Sequence, residues 1–282
     1  MWSNFHTHST YCDGKASLID NVEAGRRMVH WLGFSSHAPI PFDCAWTMKK
    51  QALEPYIFEI NELKKSNPQI EIYAGLEVDY IPGVTSPGHF QGQLDYTIGS
   101  IHFADVLPDG THWEVDGPHV KFLEGLEKIF HNKIRDVVAR YFELTRHMLE
   151  NGPPTLLGHL DKIKIQNTGH ILFQESESWY REEVKQTIEK IRGSGTIVEV
   201  NTRGLYQKKS ATPYPSPWIL EILYQKNIPV TLSSDAHHPD DLANQFPETA
   251  LLLKKIGFKK LSVLSQGEWK QLDFNESGVI ER

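Results

Sequence analysis

Strand-like and helical stretches alternate along this 282-residue chain, and the alternation leaves few folds open to it. Apolar, β-prone runs fall near residues 2–6, 33–36, 70–77, 95–101, 155–159, 196–201 and 229–234. Helical spacing of apolar side chains covers 17–32, 52–66, 119–151, 176–193, 215–227 and 240–256. In the first of these Ser17 is placed to cap, and Leu18, Val22, Gly25, Val29 and Leu32 recur at helical intervals. Gly33, Gly152, Gly195 and Gly257 punctuate the helix ends. About seven strand–helix repeats predict a parallel sheet in an α/β protein. A closed barrel explains more than an open sheet does, because it brings the C-terminal end of every strand to one rim. With no linker, repeat or low-complexity tract, residues 1–282 read as a single domain.

The strand ends carry the chemistry. FHTHSTYCDG (5–14), FSSHAP (34–39), GLEVDY (75–80), GSIHF (99–103), LLGHLD (156–161) and LSSDAHHP (232–239) deliver His6, His8, Asp13, His37, Glu77, His102, His159, Asp235 and His237. Zinc takes about four ligands, or three plus water at a catalytic site, so six histidines and three carboxylates point to several ions rather than one. Residues i and i+2 of a strand face the same side, so His6 and His8 can share an ion. Asp235 and His237 repeat that spacing, which favours His237 over its neighbour His238. The other histidines (His30, His89, His112, His119, His131, His147 and His170) sit in no such context and read as ordinary core or surface residues.

Composition narrows the function further. The net charge of −7 offers no basic face to nucleic acid. Cys12 and Cys44 form neither a metal motif nor a disulfide framework. The opening residues MWSNFHTHST have no basic and apolar leader, and no apolar run approaches the roughly 20 residues of a membrane span. The expectation is a soluble cytoplasmic protein with no membrane or nucleic-acid partner.

In their order, these motifs resemble the PHP (polymerase and histidinol phosphatase) family of metallohydrolases. The resemblance runs from His6 to about Pro239, and FHTHSTYCDGK, GLEVDY and the SIHF segment are closest in style to the stand-alone histidinol-phosphate phosphatases. It implies a distorted (β/α)7 barrel with the metal site at the C-terminal rim of the strands. It also implies three divalent ions, zinc, manganese or iron: one held by His6, His8, Glu77 and Asp235, a second by Glu77, His102 and His159, a third by Asp13, His37 and His237. Asp13 stands where many members carry histidine, and a carboxylate is a harder ligand that widens the choice of third metal.

Two ions bridged by Glu77 would lie about 3.5–4 Å apart and lower the pKa of a water between them, making the bridging hydroxide the nucleophile. The expected reaction is hydrolysis of L-histidinol phosphate to L-histidinol and phosphate, a histidine-biosynthesis step. The alternative is another phosphate ester: a nucleotide, a nucleic-acid end or a phosphotyrosyl peptide. A polymerase accessory module is disfavoured, since only about 45 residues follow the last motif. A structural metal site is disfavoured because such sites are closed and cysteine-rich.

Asp161 is a candidate leaving-group acid, or else a carboxylate that orients a histidine. Arg203, after the run TIVEVN, and Lys164 are candidate phosphate clamps, and Glu199 is a candidate support for the ligands. The segment 103–118 is expected to form a lid or substrate loop, with Asp105, Asp109, Glu114 or Asp116 meeting a cationic substrate end.

Overall fold

Seven parallel strands form one sheet in the computed structural model, which describes residues 1–280. They are β1 (Trp2–Asn4), β2 (Val29–Phe34), β3 (Glu71–Asp79), β4 (Tyr96–Ser100), β7 (Leu156–Leu157), β8 (Ile197–Asn201) and β9 (Val230–Ser233), paired in that order. Beyond β9 the chain meets the end of β1 through a parallel bridge between Ala236 and Thr7, which closes the barrel. This is the expected α/β barrel. Residues 281 and 282, within the expected single domain, lie outside the described residues.

The strands are buried along nearly their whole length because both faces are covered, by helices outside and by the barrel interior within. Helices α1 (Leu18–Gly25), α2 (Leu53–Ser66), α3 (His119–Lys128), α4 (Ile134–Asn151), α5 (Ser178–Ser194), α6 (Arg203–Tyr206), α7 (Pro217–Gln225) and α8 (Phe246–Ile256) fill the connections. Ser17 caps α1 through a reciprocal pair of hydrogen bonds with Asp20. Val137, Val138, Tyr141, Phe142, Thr145, Met148 and Leu149 give α4 a buried face at the expected 3–4 residue spacing.

Three boundaries differ from expectation, each for a local reason. The helix expected over 17–32 stops at Gly25, because VHWLGF is β-branched and aromatic and enters the sheet as β2. The stretch 119–151 divides into α3 and α4 where His131 and Asn132 take left-handed backbone conformations. The stretch 240–256 begins its α-helix only at Phe246, after left-handed Gln245.

The segment 103–118 is more ordered than a loop. It forms an antiparallel hairpin of β5 (Phe103–Val106) and β6 (His112–Glu114). Phe103 packs there with Cys44 and Ile81, and with Phe42 and Trp46, in a small cluster apart from the main core.

An antiparallel meander of β10 (Lys260–Ser265), β11 (Glu268–Asn275) and β12 (Gly278–Ile280) follows α8. Its Val279 N–H donates to Met1 O at 3.0 Å and its Gln266 N–H to Glu71 Oε2 at 2.7 Å, both at strand starts. Trp269 sits edge-on to Phe5, 5.1 Å between ring centres. The meander therefore seals the N-terminal end of the barrel, opposite the rim where the conspicuous histidines lie.

Candidate metal centre

The rim residues are positioned by backbone pairing between strand ends. Ala236 N–H donates to His6 O at 3.0 Å, and His8 N–H donates to Ala236 O at 2.8 Å. This lock between the two ends of the chain sets the His6–His8 pair beside Asp235–His237, and the rings of His8 and His237 stack 4.0 Å apart. Residues 9–15 then fold back, which requires Gly14: a Cβ there would lie 2.4 Å from the backbone nitrogen of Ser9. The fold-back carries Asp13 Oδ2 to 3.1 Å from His237 Nε2. His37, just past β2, pairs through its backbone with Glu77 of β3, while His102 and His159 follow β4 and β7.

The eight other expected ligands gather around Glu77, five of them directly and Asp13, Asp235 and His237 through their neighbours. One of its oxygens lies 3.1 Å from His6 Nε2, 3.4 Å from His8 Nε2 and 3.2 Å from His37 Nδ1. The other lies 3.0 Å from His159 Nε2 and 3.6 Å from His102 Nε2. A carboxylate with each oxygen facing a different group of histidines could bridge two ions. Potential ligand atoms of His8, Asp13, His37 and His237 lie within 4.8 Å of one another; so do those of His6, His8 and Asp235, and those of His37, Glu77 and His102. The seven histidines set aside in the sequence enter no such group among the described residues.

The donor atoms fit ions. His6 Nε2, His8 Nε2, His37 Nδ1 and Asp13 Oδ1 are buried without a hydrogen-bond partner. Leaving a buried polar atom unpaired costs about 1–3 kcal/mol, so four orphaned atoms facing shared centres make sense as ligands. Two of them belong to residues with non-orphaned ring nitrogens: His6 Nδ1 donates to Glu199 Oε1 at 2.6 Å, and His8 Nδ1 faces Cys12 Sγ at 3.4 Å. His102 Nδ1 likewise donates to Asp79 Oδ1 at 2.9 Å. A carboxylate behind an imidazole fixes the tautomer that leaves Nε2 free to ligate. Two of the expected ligands, His159 and Asp235, also hold left-handed backbone angles (φ 21° and 55°), conformations that cost about 1–3 kcal/mol and gather at functional sites.

Charge divides the histidines into two sets. Burial works against a charged His6, but Glu199, Asp235 and Glu77 outweigh it and raise its pKa to about 10. Burial is likewise overcome at His102, where Asp79 leads the raising to about 9, and at His8. Burial wins at His37 and His159, and it lowers His237 to about 4, so these stay neutral, the form a metal needs. Glu77 and Asp235 stay ionised well below the usual carboxylate range: burial opposes this, and surrounding cations, His6 foremost, overcome it.

A cavity of about 210 Å³ opens over the centre. Arg203 lines it as expected, with Nη1 donating to Asp235 O at 2.7 Å and lying against His237 Nδ1. Of the acids in 103–118, Glu114 and Asp116 line the cavity, whereas Asp105 and Asp109 do not. Glu114 Oε1 accepts a hydrogen bond from Trp46 Nε1 at 3.0 Å, and Trp46 stands edge-on to His37. Glu199 braces the centre from beneath, accepting from His6 and from the His159 N–H at 2.8 Å.

Two expectations are corrected. Asp161 is wholly buried outside the cavity lining, and its Oδ2 accepts from Lys164 Nζ and from Ser216 N–H, each at 2.9 Å. Lys164 Nζ also donates to Pro213 O at 2.9 Å and Ser216 Oγ at 2.6 Å, which leaves it no free donor for a phosphate. Asp161 and Lys164 tie the rim to the segment before α7 and are not placed to touch a substrate. The spacing that looked like an acid and a clamp closes on itself within one turn.

Sequence reasoning missed Lys162, Asp79 and Trp46. Lys162 lies between two residues that attracted notice, and its Nζ reaches into the cavity, 2.9 Å from Asp116 Oδ2. Asp79 had a signal: it stands two residues beyond Glu77 in the same strand, hence on the same face. Trp46 lies in an irregular segment, where periodicity says nothing about direction.

Residues 4–203 match the PHP domain family. The chain is 28% identical over 234 residues to the probable histidinol-phosphatase of Deinococcus radiodurans, covering 80% of this chain and 82% of that one. It is 28% identical over 262 residues to the histidinol-phosphatase of Bacillus subtilis, covering 84% and 94%. A solved structure of histidinol phosphate phosphatase from Lactococcus lactis, complexed with zinc, L-histidinol and phosphate, shares the fold with a TM-score of 0.67 at 18% identity, over 99% of both chains.

Proposed function

The chain belongs to the PHP domain family, and on that premise we propose that it is a phosphatase that hydrolyses L-histidinol phosphate to L-histidinol and phosphate. Convergence of His6, His8, Asp13, His37, Glu77, His102, His159, Asp235 and His237 on one rim, beneath a cavity lined by both cations and acids, carries this reading. The relatives named histidinol-phosphatase support the choice of substrate.

Three divalent ions, of zinc, manganese or iron, would share the nine ligands, with Glu77 bridging the first two and Asp13, His37 and His237 holding the third. When bound, such ions activate water for attack at phosphorus and neutralise charge on the phosphoryl oxygens. The chain's own residues do the rest. Glu199 and Asp79 hold the His6 and His102 rings in a ligating orientation. Arg203 stands over Asp235 at the cavity wall, where a guanidinium meets phosphoryl oxygens. Glu114 is placed to receive the cationic end of the substrate, with the Trp46 ring beside it. Among the described residues no helix is long and apolar enough to cross a membrane. With a net charge of −7, this suits a cytoplasmic enzyme for a small phosphate monoester and not a nucleic-acid partner.

The test is phosphate release from a panel of monoesters after reconstitution with zinc or manganese. The expected result is that L-histidinol phosphate leads the panel in kcat/KM and that chelation abolishes the activity. Preference for a nucleotide or a phosphotyrosyl peptide over L-histidinol phosphate would overturn the substrate, and activity surviving chelation would overturn the metal reading.

A further inference from the structure

We propose that Lys162 is a phosphoryl-binding catalytic residue, held ready over the His102 side of the centre by Asp116. The proposal rests on reading the site as a phosphatase, and it assigns a group that the sequence motifs pass over.

Donor accounting decides the matter. A lysine ammonium has three N–H donors and no acceptor. The Lys162 side chain is 11% exposed, and its Nζ has two neighbours of note: Asp116 Oδ2 at 2.9 Å and His102 Nε2 at 3.3 Å. His102 Nδ1 is already committed to Asp79, so once the ring gives up its second proton Nε2 holds its one available lone pair. An ion at the centre claims that lone pair. Lys162 then keeps Asp116 as its acceptor and has two buried donors to place, inside a cavity where a phosphoryl group would sit.

Two of the other cations nearby are differently committed, and a third, Lys209, lines the same cavity from an exposed position. Lys164 is saturated by Asp161, Pro213 and Ser216. Arg203 commits Nη1 to Asp235 and His237 and lines the same cavity as Lys162. A phosphate dianion between Lys162 and Arg203 would relieve their mutual repulsion and satisfy the idle donors together. The backbone fixes the direction of approach, because Lys162 N–H donates to His159 O at 2.8 Å, at the turn just past a ligand. Asp116 complements this by offering the ammonium an acceptor that remains once an ion takes His102 Nε2. No proton leaves Lys162. Its contribution is a charge and hydrogen bonds to oxygens of phosphorus, while the water oxygen joins phosphorus, the bond from phosphorus to the alcohol oxygen breaks, and one of the water's protons ends on that departing oxygen.

The experiment compares metal-loaded wild type with Lys162→Met, Lys162→Arg and the double variant Asp116→Asn/Lys162→Met. The double variant leaves no unpaired buried carboxylate and so covers the case in which the single change disturbs folding or metal content. The readouts are calorimetric binding of inorganic phosphate, metal content per chain and kcat/KM on several monoesters. Lys162→Met is expected to weaken phosphate binding by about ten- to a hundredfold and to lower kcat/KM alike on alkyl and aryl esters, with Lys162→Arg keeping most of both. Phosphate binding within about twofold of wild type in Lys162→Met, or in the double variant if the single one loses metal, would overturn the proposal. A wild-type protein that binds inorganic phosphate but does not cleave L-histidinol phosphate would defeat the substrate assignment and leave this one standing.

Discussion

The two ends of this barrel are built on opposite principles. At the C-terminal rim the chain buries five histidines with Glu77 and Asp235, partly buries His237 and Asp13, leaves several of their atoms without partners, and holds His159 and Asp235 in left-handed conformations. At the N-terminal end the β10–β12 meander lays Phe274, Trp269 and Val279 against the barrel and ties its own backbone to Met1 and Glu71. The rim gives up stability for chemistry, and the seal supplies stability with no chemistry. Within one fold, then, the working end is marked by orphaned donor atoms that face one another across a shared centre, not by hydrophobicity.

The largest separation of the two ends is expected from Glu77→Ala. Removing the bridge should cost at least about a thousandfold in turnover, the scale of losing a principal electrostatic group, together with loss of bound metal. Metal analysis and single-turnover phosphate release check it, and near-normal turnover with metal retained would break the contrast. Phe274→Ala at the seal should do the reverse. Truncating this buried ring should cost about 3–5 kcal/mol of stability, read by denaturant unfolding, while kcat well below the melting temperature stays within about twofold of wild type. A large loss of kcat with little loss of stability would show the two ends to be coupled.

Smaller effects divide the rim itself. Arg203→Ala should lower kcat/KM by about ten- to a hundredfold on every phosphate monoester, because a guanidinium reads only the phosphoryl group. Glu114→Gln should cost about tenfold on L-histidinol phosphate and little on an aryl phosphate, which has no cationic end. Equal losses on both would remove Glu114 from substrate recognition.

The smallest effect is a pH dependence. Without metal, carboxylates hold protons on His6 and His102, with pKa values of about 10 and 9. These raised values stabilise the metal-free fold fully below about pH 6.5, and that contribution fades as pH climbs through the folded values. Metal must displace the same protons, so loading in weak buffer at about pH 8 should release protons, and the release should shrink above about pH 10. A pH-independent release would contradict the placement of these carboxylates.

Much of the rim was legible in the sequence because strand periodicity reports direction. The i, i+2 spacing of His6 with His8 predicts a shared face before any tertiary contact is known, whereas Asp235 and His237 reach the rim past the end of β9, with Asp235 in a left-handed conformation outside strand geometry. The barrel and its seven strands were legible from alternation, and the family resemblance implied the same count. What lay outside that logic was missed or misplaced. Lys164 and Asp161 follow β7 in a 3₁₀ turn, where neighbouring side chains curl onto one another, and they pair internally instead of reaching the cavity. Lys162 in the same turn points the other way, toward Asp116, and no periodic pattern separates it from Lys164. The meander over 260–280 carries mixed polar and apolar residues on a partly exposed sheet, which left no strand signal as strong as that of the buried barrel.

Anomalous diffraction from crystals of the manganese- or zinc-loaded protein tests the central claim most directly. The expected result is ions clustered at the C-terminal rim, two of them bridged by Glu77 about 3.5–4 Å apart and a third against Asp13, His37 and His237. A single ion that leaves Glu77 uncoordinated, or metal bound away from these nine residues, would contradict it.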